Sequence, residues 1–236
     1  MVYLDYSVLD ALDERAFQAR KPYPWANPEG ALTEAGRKAL RETLPPLAVF
    51  DKRMGEQRRH GQQAHDRYAL EYRPGLDLSP AWTDFMAELH SERYLAFLKR
   101  MLGTPTELSF HWHYTPGGCS VSPHCDAVHK LGSHIFYMNS DEDWDPAWGG
   151  ETLVLDDGGR FPRRSAPGFD DFDSSTAAQA TSKHSFLFAR RGDSWHGVRE
   201  LRCPEGQMRQ VFIVVLNRVS WLGRLSRGRW QRRRGY

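Results

Sequence analysis

The feature that most constrains the fold is a change of hydrophobic period near residue 104. Before it apolar residues recur at helical spacing; after it they alternate with polar ones. The clearest helical stretch is Ser79–Leu102. Ser79 stands at the cap position, Pro80 in the first turn, and Trp82, Phe85, Met86, Leu89, Tyr94 and Leu98 recur on one side. Gly103 ends it. A shorter helix is expected over Thr33–Arg41, ahead of Pro45-Pro46. From Glu107 a period of two predicts strands near Leu108–Tyr114, Gly132–Asn139, Glu151–Leu155, His184–Ala189 and Met208–Leu216. Helices followed by many short strands indicate a mainly β chain with flanking helices (α+β), a jelly-roll backed by helical support.

Three segments follow: a helical N-terminal region, 1–103, set against the barrel; a jelly-roll core, 104–217; and an arginine-rich tail, 218–236. Residues 157–183 interrupt the core. They hold a basic cluster (Arg160, Arg163, Arg164) and an acidic one (Asp170, Asp171, Asp173). A polar stretch of that length reads as a mobile insertion, with a lid over the barrel mouth as the alternative.

The stretch Tyr114–Asp126, Y-T-P-G-G-C-S-V-S-P-H-C-D, carries the chemistry. Residues i and i+2 of a strand share a face, so His124 and Asp126 would bring an imidazole and a carboxylate to one point. Two ligands hold a metal weakly. The segment G-D-S-W-H-G-V supplies a third, His196, just after the apolar run Ser185–Ala189. Two histidines and one carboxylate, with other positions open, suit non-haem Fe(II). Arg209, thirteen residues on, could clamp a carboxylate through a bidentate pair. His111 and His113 form a rival i, i+2 pair of the kind used in cupin-like barrels. That pattern wants a glutamate a few residues on, where Pro116-Gly117-Gly118 stands. Cys125 should point to the opposite face from the ligands. His129 and His184 read as surface or core residues, and His134 could face the pocket.

With these motifs in order, the chain resembles the Fe(II)/2-oxoglutarate-dependent oxygenases, in the branch of the prolyl 4-hydroxylases. The resemblance runs from about Glu107 to Asn217. It rests on Tyr114-x-x-Gly117, His124-x-Asp126, Ile135–Asn139 followed by Trp144, Gly149-Gly150-Glu151-Thr152-Leu153, and His196-Gly197-Val198 with Arg209. It implies a double-stranded β-helix core, with His124, Asp126 and His196 as iron ligands. Arg209 would pair with the distal carboxylate of 2-oxoglutarate, Tyr137 would hydrogen-bond the same carboxylate, and Tyr114 would line the pocket. The implied cofactors are Fe(II), 2-oxoglutarate as co-substrate and O2, with ascorbate as an accompanying reductant. The implied reaction is hydroxylation of an unactivated C–H bond of a peptide, amino acid or small metabolite, with release of succinate and CO2. Halogenating relatives carry a small residue where this chain keeps Asp126. The spacing from His196 to Arg209 is longer than usual in the family, and Glu200–Gln207 reads as an extended hairpin loop, with Arg202 in its turn.

Two other functions fit the same motifs less well: a non-catalytic jelly-roll binding module, and a nucleic-acid dealkylase. The second would show an arginine six residues after Arg209, where Val215 stands. The formal net charge is +2, and the seven arginines from Arg218 onward leave the first 217 residues at about −5. Such a tail could touch an acidic partner, but nucleic acid is not expected as the substrate. Three cysteines without framework spacing, no cationic signal-like N-terminus and no membrane-length apolar run indicate a cytoplasmic protein. Oligomeric state is not legible.

Overall fold

The computed structural model describes residues 1–56 and 61–219. The arginine-rich tail expected at 218–236 therefore lies outside the described residues from position 220 on. Two antiparallel sheets build the β part. Strands β1 (Trp25–Ala26), β2 (Asp51–Arg53), β3 (Arg67–Glu71), β4 (Thr106–Pro116), β6 (Lys130–Tyr137), β9 (Ser185–Ala189) and β11 (Met208–Arg218) form the larger, in the order β1-β9-β6-β11-β4-β3-β2. Strands β5 (Val121–His124), β7 (Leu153–Asp156), β8 (Ser174–Ala177) and β10 (His196–Val198) form the smaller, in the order β5-β10-β7-β8. Helices α1 (Tyr6–Asp10), α2 (Glu14–Ala19), α3 (Glu34–Glu42), α4 (Pro80–Leu89) and α5 (Glu92–Leu102) belong to the N-terminal region.

Alternation in the central strands sorts side chains between two environments. On β11, Phe212, Val214 and Leu216 enter the core shared with the helices. Val211, Ile213 and Val215 face the other way, into a cavity between the sheets. Its neighbour β4 divides likewise, with Phe110, Trp112 and Tyr114 on the helix side and His111, His113 and Thr115 on the cavity side. The register Phe212↔Trp112 and Phe212↔Phe136 aligns these sets across three strands. Trp82 of α4 fills the centre, with ring centroids 5.1 Å from Trp112 and 4.9 Å from Phe212. Burying rings of this size makes the helix layer integral to the fold, each worth about 3–5 kcal/mol on truncation to alanine.

The single helix expected over Ser79–Leu102 is two. The Ser79 hydroxyl accepts the Trp82 N–H, and α4 ends where the His90 N–H closes on Met86 and Ala87 carbonyls. Ser91 then caps a second helix by accepting the Tyr94 N–H at 3.3 Å, with Glu92 in the first turn and Lys99 and Arg100 in the last. A capping serine inside an unbroken apolar rhythm lets the chain turn without losing its buried face. The N-terminal region also holds strands that were not expected. β1 pairs with β9, and β3 extends the large sheet beyond β4. The insertion 157–183 is not a free loop. Its β8 pairs with β7, and Phe161, Phe169 and Phe172 lie against Leu155 and Trp195.

Candidate active site

Between the sheets lies a cavity of about 370 Å³. Its walls include His111, His113, Ile135, Val211 and Ile213 from the large sheet, and Val121, His124, His196 and Val198 from the small one. His124, Asp126 and His196 each bring a ligand-competent atom within 4.8 Å of the other two. Backbone pairing causes this, because His196 of β10 stands directly opposite His124 of β5, with ring centroids 4.3 Å apart. Asp126 is not on the strand, as its spacing had suggested. β5 stops at His124, and the carboxylate comes from the turn leading into β6.

The turn is pinned by cations. Lys130 Nζ donates to Asp126 Oδ1 at 2.9 Å, while Arg190 and Arg163 donate to its backbone carbonyl at 2.9 and 3.2 Å. Burial alone would raise the Asp126 pKa. Neighbouring positive charge, Lys130 foremost, outweighs it and holds the carboxyl below its usual range. Each imidazole is oriented by a carbonyl two residues earlier: Nδ1 of His124 donates to Ser122 (2.9 Å), and Nδ1 of His196 to Ser194 (3.0 Å). With Nδ1–H committed, Nε2 keeps its lone pair for a cation. An ionised carboxylate and two imidazoles, each oriented through Nδ1, fit a divalent metal with open positions.

Arg209 opens β11 on the cavity face and is buried. Its Nε donates to the Gly150 carbonyl and a terminal nitrogen reaches Thr152 Oγ1 at 3.3 Å. Burial pulls its pKa down, against the opposing influence of Tyr137 and the nearby Glu151 carboxylate. A buried guanidinium facing the cavity makes this end of it a place for an anion. Gly150, at φ +102°, explains part of the Gly149-Gly150 motif. A Cβ there would lie 3.2 Å from Arg209 Cδ and 3.3 Å from the Trp144 ring. Arg202, the other arginine of this region, is exposed in the 200–207 loop, which docks through Leu201 onto Gly118 and Cys119.

The remaining candidates separate. Tyr137 lies behind the cavity wall. Its hydroxyl donates to Thr152 Oγ1 at 2.8 Å, and its ring sits 5.5 Å below the Arg209 guanidinium. Tyr114 does not line the cavity. It has the opposite parity on β4 to His113 and Thr115, and its hydroxyl donates to the Pro45 carbonyl on the helix side. His134 also faces away, between Tyr94 and Ser185. Cys125 packs beside Leu155 and Trp195 but reaches the cavity wall as well, and burial pushes its thiol up to about 12. His111 and His113 line the cavity apart from the His124–Asp126–His196 group. Sequence reasoning passed over Lys130, His65 and Arg67, all cavity-lining, and gave Thr152, which also lines it, no role beyond its motif. Lys130 sits at i+4 from Asp126, a readable signal. His65 and Arg67 had none.

No protein-family profile matches the sequence, and no curated protein matches it either. Solved structures do. A prolyl 4-hydroxylase from Pseudomonas putida superimposes with TM-score 0.60 at 17% identity, over 90% of this chain and 98% of that one. The non-haem α-ketoglutarate-dependent carbocyclase SnoK of nogalamycin biosynthesis gives 0.61 at 13% identity, over 93% and 92%. A prolyl hydroxylase from Trichoplax adhaerens, in complex with a hypoxia-inducible-factor peptide fragment, gives 0.60 at 11%, over 86% of each chain. The chain thus has the fold of the prolyl 4-hydroxylases and other 2-oxoglutarate–Fe(II) oxygenases.

Proposed function

We propose that this chain is an Fe(II)- and 2-oxoglutarate-dependent dioxygenase that hydroxylates an unactivated C–H bond of a peptide, amino acid or small metabolite, releasing succinate and CO2. One observation carries the reading: the His124, Asp126 and His196 ligand atoms lie within 4.8 Å of one another in the cavity that also holds buried Arg209. The strands that residues 104–217 contribute to the two sheets are read as a double-stranded β-helix core, supported by the segment 1–103, which adds β1, β2 and β3 to the larger sheet. Three unpaired cysteines suit the cytoplasm to which we assign it.

His124, Asp126 and His196 would hold iron. Bound iron, with 2-oxoglutarate and O2, supplies the oxidising power needed to break a C–H bond, ascorbate serving to keep it ferrous. Lys130 would keep one carboxylate oxygen of Asp126 occupied and hold the group ionised for the metal. Arg209 would fork onto the distal carboxylate of 2-oxoglutarate, a charge-assisted contact of about 1.5–3 kcal/mol. Thr152, tied to both Arg209 and Tyr137, would hold that fork in place, so Tyr137 acts through Thr152. Val198, Val211 and Ile213 would keep water from the reacting atoms. Because Asp126 occupies the carboxylate position, hydroxylation is preferred over halogenation.

The test is succinate release by purified protein given Fe(II), 2-oxoglutarate and O2. Slow, iron-dependent release without substrate, abolished in Asp126→Ala, is expected. A binding module would release none above the variant.

A further inference from the structure

The small sheet that carries both histidines is built of short strands, four residues in β5 and three in β10. Its cavity face bears His124, His196 and Val198. Its back is apolar, with Leu153, Leu155 and Trp195 clustered there beside Cys125. The chain between β7 and β8 covers that back. The loop 157–172 closes at its neck, where the Asp173 N–H donates to the Asp156 carbonyl at 2.9 Å. Arg160 reinforces the closure by donating to the Asp171 carbonyl at 2.9 Å and to Asp173 Oδ1 at 2.7 Å. Buried Asp157 accepts the Phe161 N–H at 2.7 Å. A loop whose ends meet and whose own side chains fill it is a compact unit.

Three of its side chains reach the ligand-bearing segments from behind. Phe169 lies against Gly197, between His196 and Val198. A Cβ on that glycine would meet the ring at 2.9 Å, and at 2.8 Å the carbonyl of Val121, on the strand of His124. Phe172 packs on Trp195, next to His196, with ring centroids 5.8 Å apart. Arg163 donates to the Asp126 carbonyl at 3.2 Å. Arg199, just past β10, extends the seam, lying 4.9 Å over the Phe169 ring and pairing with Asp170 at 3.1 Å. Among the described residues, the cavity wall takes none from this loop. We propose that the loop 157–172 buttresses the metal site, and that Phe169 and Arg163 are positioning residues that fix His196 and the Asp126 turn for the ion. This rests on the metal-binding part of the reading above. The loop then acts on the ion through the backbones of its ligands, not by touching substrate or co-substrate.

Co(II), whose visible d–d bands report coordination geometry, is the probe, titrated anaerobically into the full-length protein. Phe169→Ala and Arg163→Gln should each weaken Co(II) binding about tenfold and shift its bands. Phe169→Leu should restore most of the affinity by refilling the space behind Gly197. Arg163→Lys should restore part of it by keeping a donor for the Asp126 carbonyl. Leu12→Ala, a truncation in the helix layer, controls for lost stability and should leave affinity and bands unchanged. Wild-type affinity or wild-type bands in either loop variant, or the same losses in Leu12→Ala, overturn the buttress. Should Phe169→Ala not fold by thermal melt, Arg163→Gln and Arg163→Lys decide. Wild-type protein that binds neither Co(II) nor Fe(II) would sink the metal-site reading instead.

Discussion

Replacing His134 by glutamine should remove a specific acid sensitivity from the fold. His134 is fully buried on the helix side of β6, with Nδ1 2.9 Å from Tyr94 Oη and Nε2 2.9 Å from Ser185 Oγ. Burial presses its pKa down from 6.5 to about 3. A folded-state value below the unfolded one means the unfolded chain takes up the proton first. Stability from neutral His134 is therefore complete above pH 6.5 and is lost as pH falls from 6.5 toward 3. The slope is about 1.4 kcal/mol per pH unit, so about 2 kcal/mol disappears between pH 6.5 and 5. His134→Gln retains a donor and an acceptor but does not titrate. Less ideal hydrogen bonds should make it about 1–3 kcal/mol less stable at pH 8. Urea denaturation of both proteins at pH 8, 6.5 and 5 gives the difference, in which the other histidines cancel. The gap should narrow by about 2 kcal/mol at pH 5. A gap that stays constant with pH would refute the burial argument.

Arg209→Lys keeps a charge but not the fork, and should weaken 2-oxoglutarate binding about 10–100-fold by calorimetry; an unchanged affinity would place the anion elsewhere. Lys130→Met frees Asp126 Oδ1 and removes the charge that holds this carboxyl low, so Fe(II) affinity should drop about tenfold or more. Gly132→Ala puts a Cβ onto the Phe188 carbonyl of β9 at φ +154°, and should cost on the order of 3 kcal/mol in thermal unfolding.

The sequence carries the central sheet clearly because alternation there is strict. Phe212, Val214 and Leu216 must be apolar to meet Trp82 and its neighbours, while Val211, Ile213 and Val215 must be apolar to wall the cavity. The ligand residues were legible as types and spacing, but their cause lay in pairing. His196 meets His124 because β10 and β5 are antiparallel partners, and no local pattern encodes that. Tyr114 was misread because motif order says nothing of parity: one residue from His113 on β4, it faces the other layer. β2 and β3 were missed since Asp51–Arg53, at the sheet edge, and Arg67–Glu71, next to it, are short and charged with little hydrophobic period. Arg67 and His65 went unseen with them. Ser91 shows the same limit in helices, a cap hidden inside an apolar rhythm that continues through the turn.

The central claim is that three side chains from two strands and a turn converge on one ferrous ion. Anaerobic Fe(II) titration of wild-type protein, His124→Ala, His196→Ala and His111→Ala tests it directly. One equivalent should bind to the wild type and to His111→Ala, with affinity lowered at least about 100-fold in each of the other two. Undiminished binding in His124→Ala and His196→Ala, with loss in His111→Ala, would contradict the account.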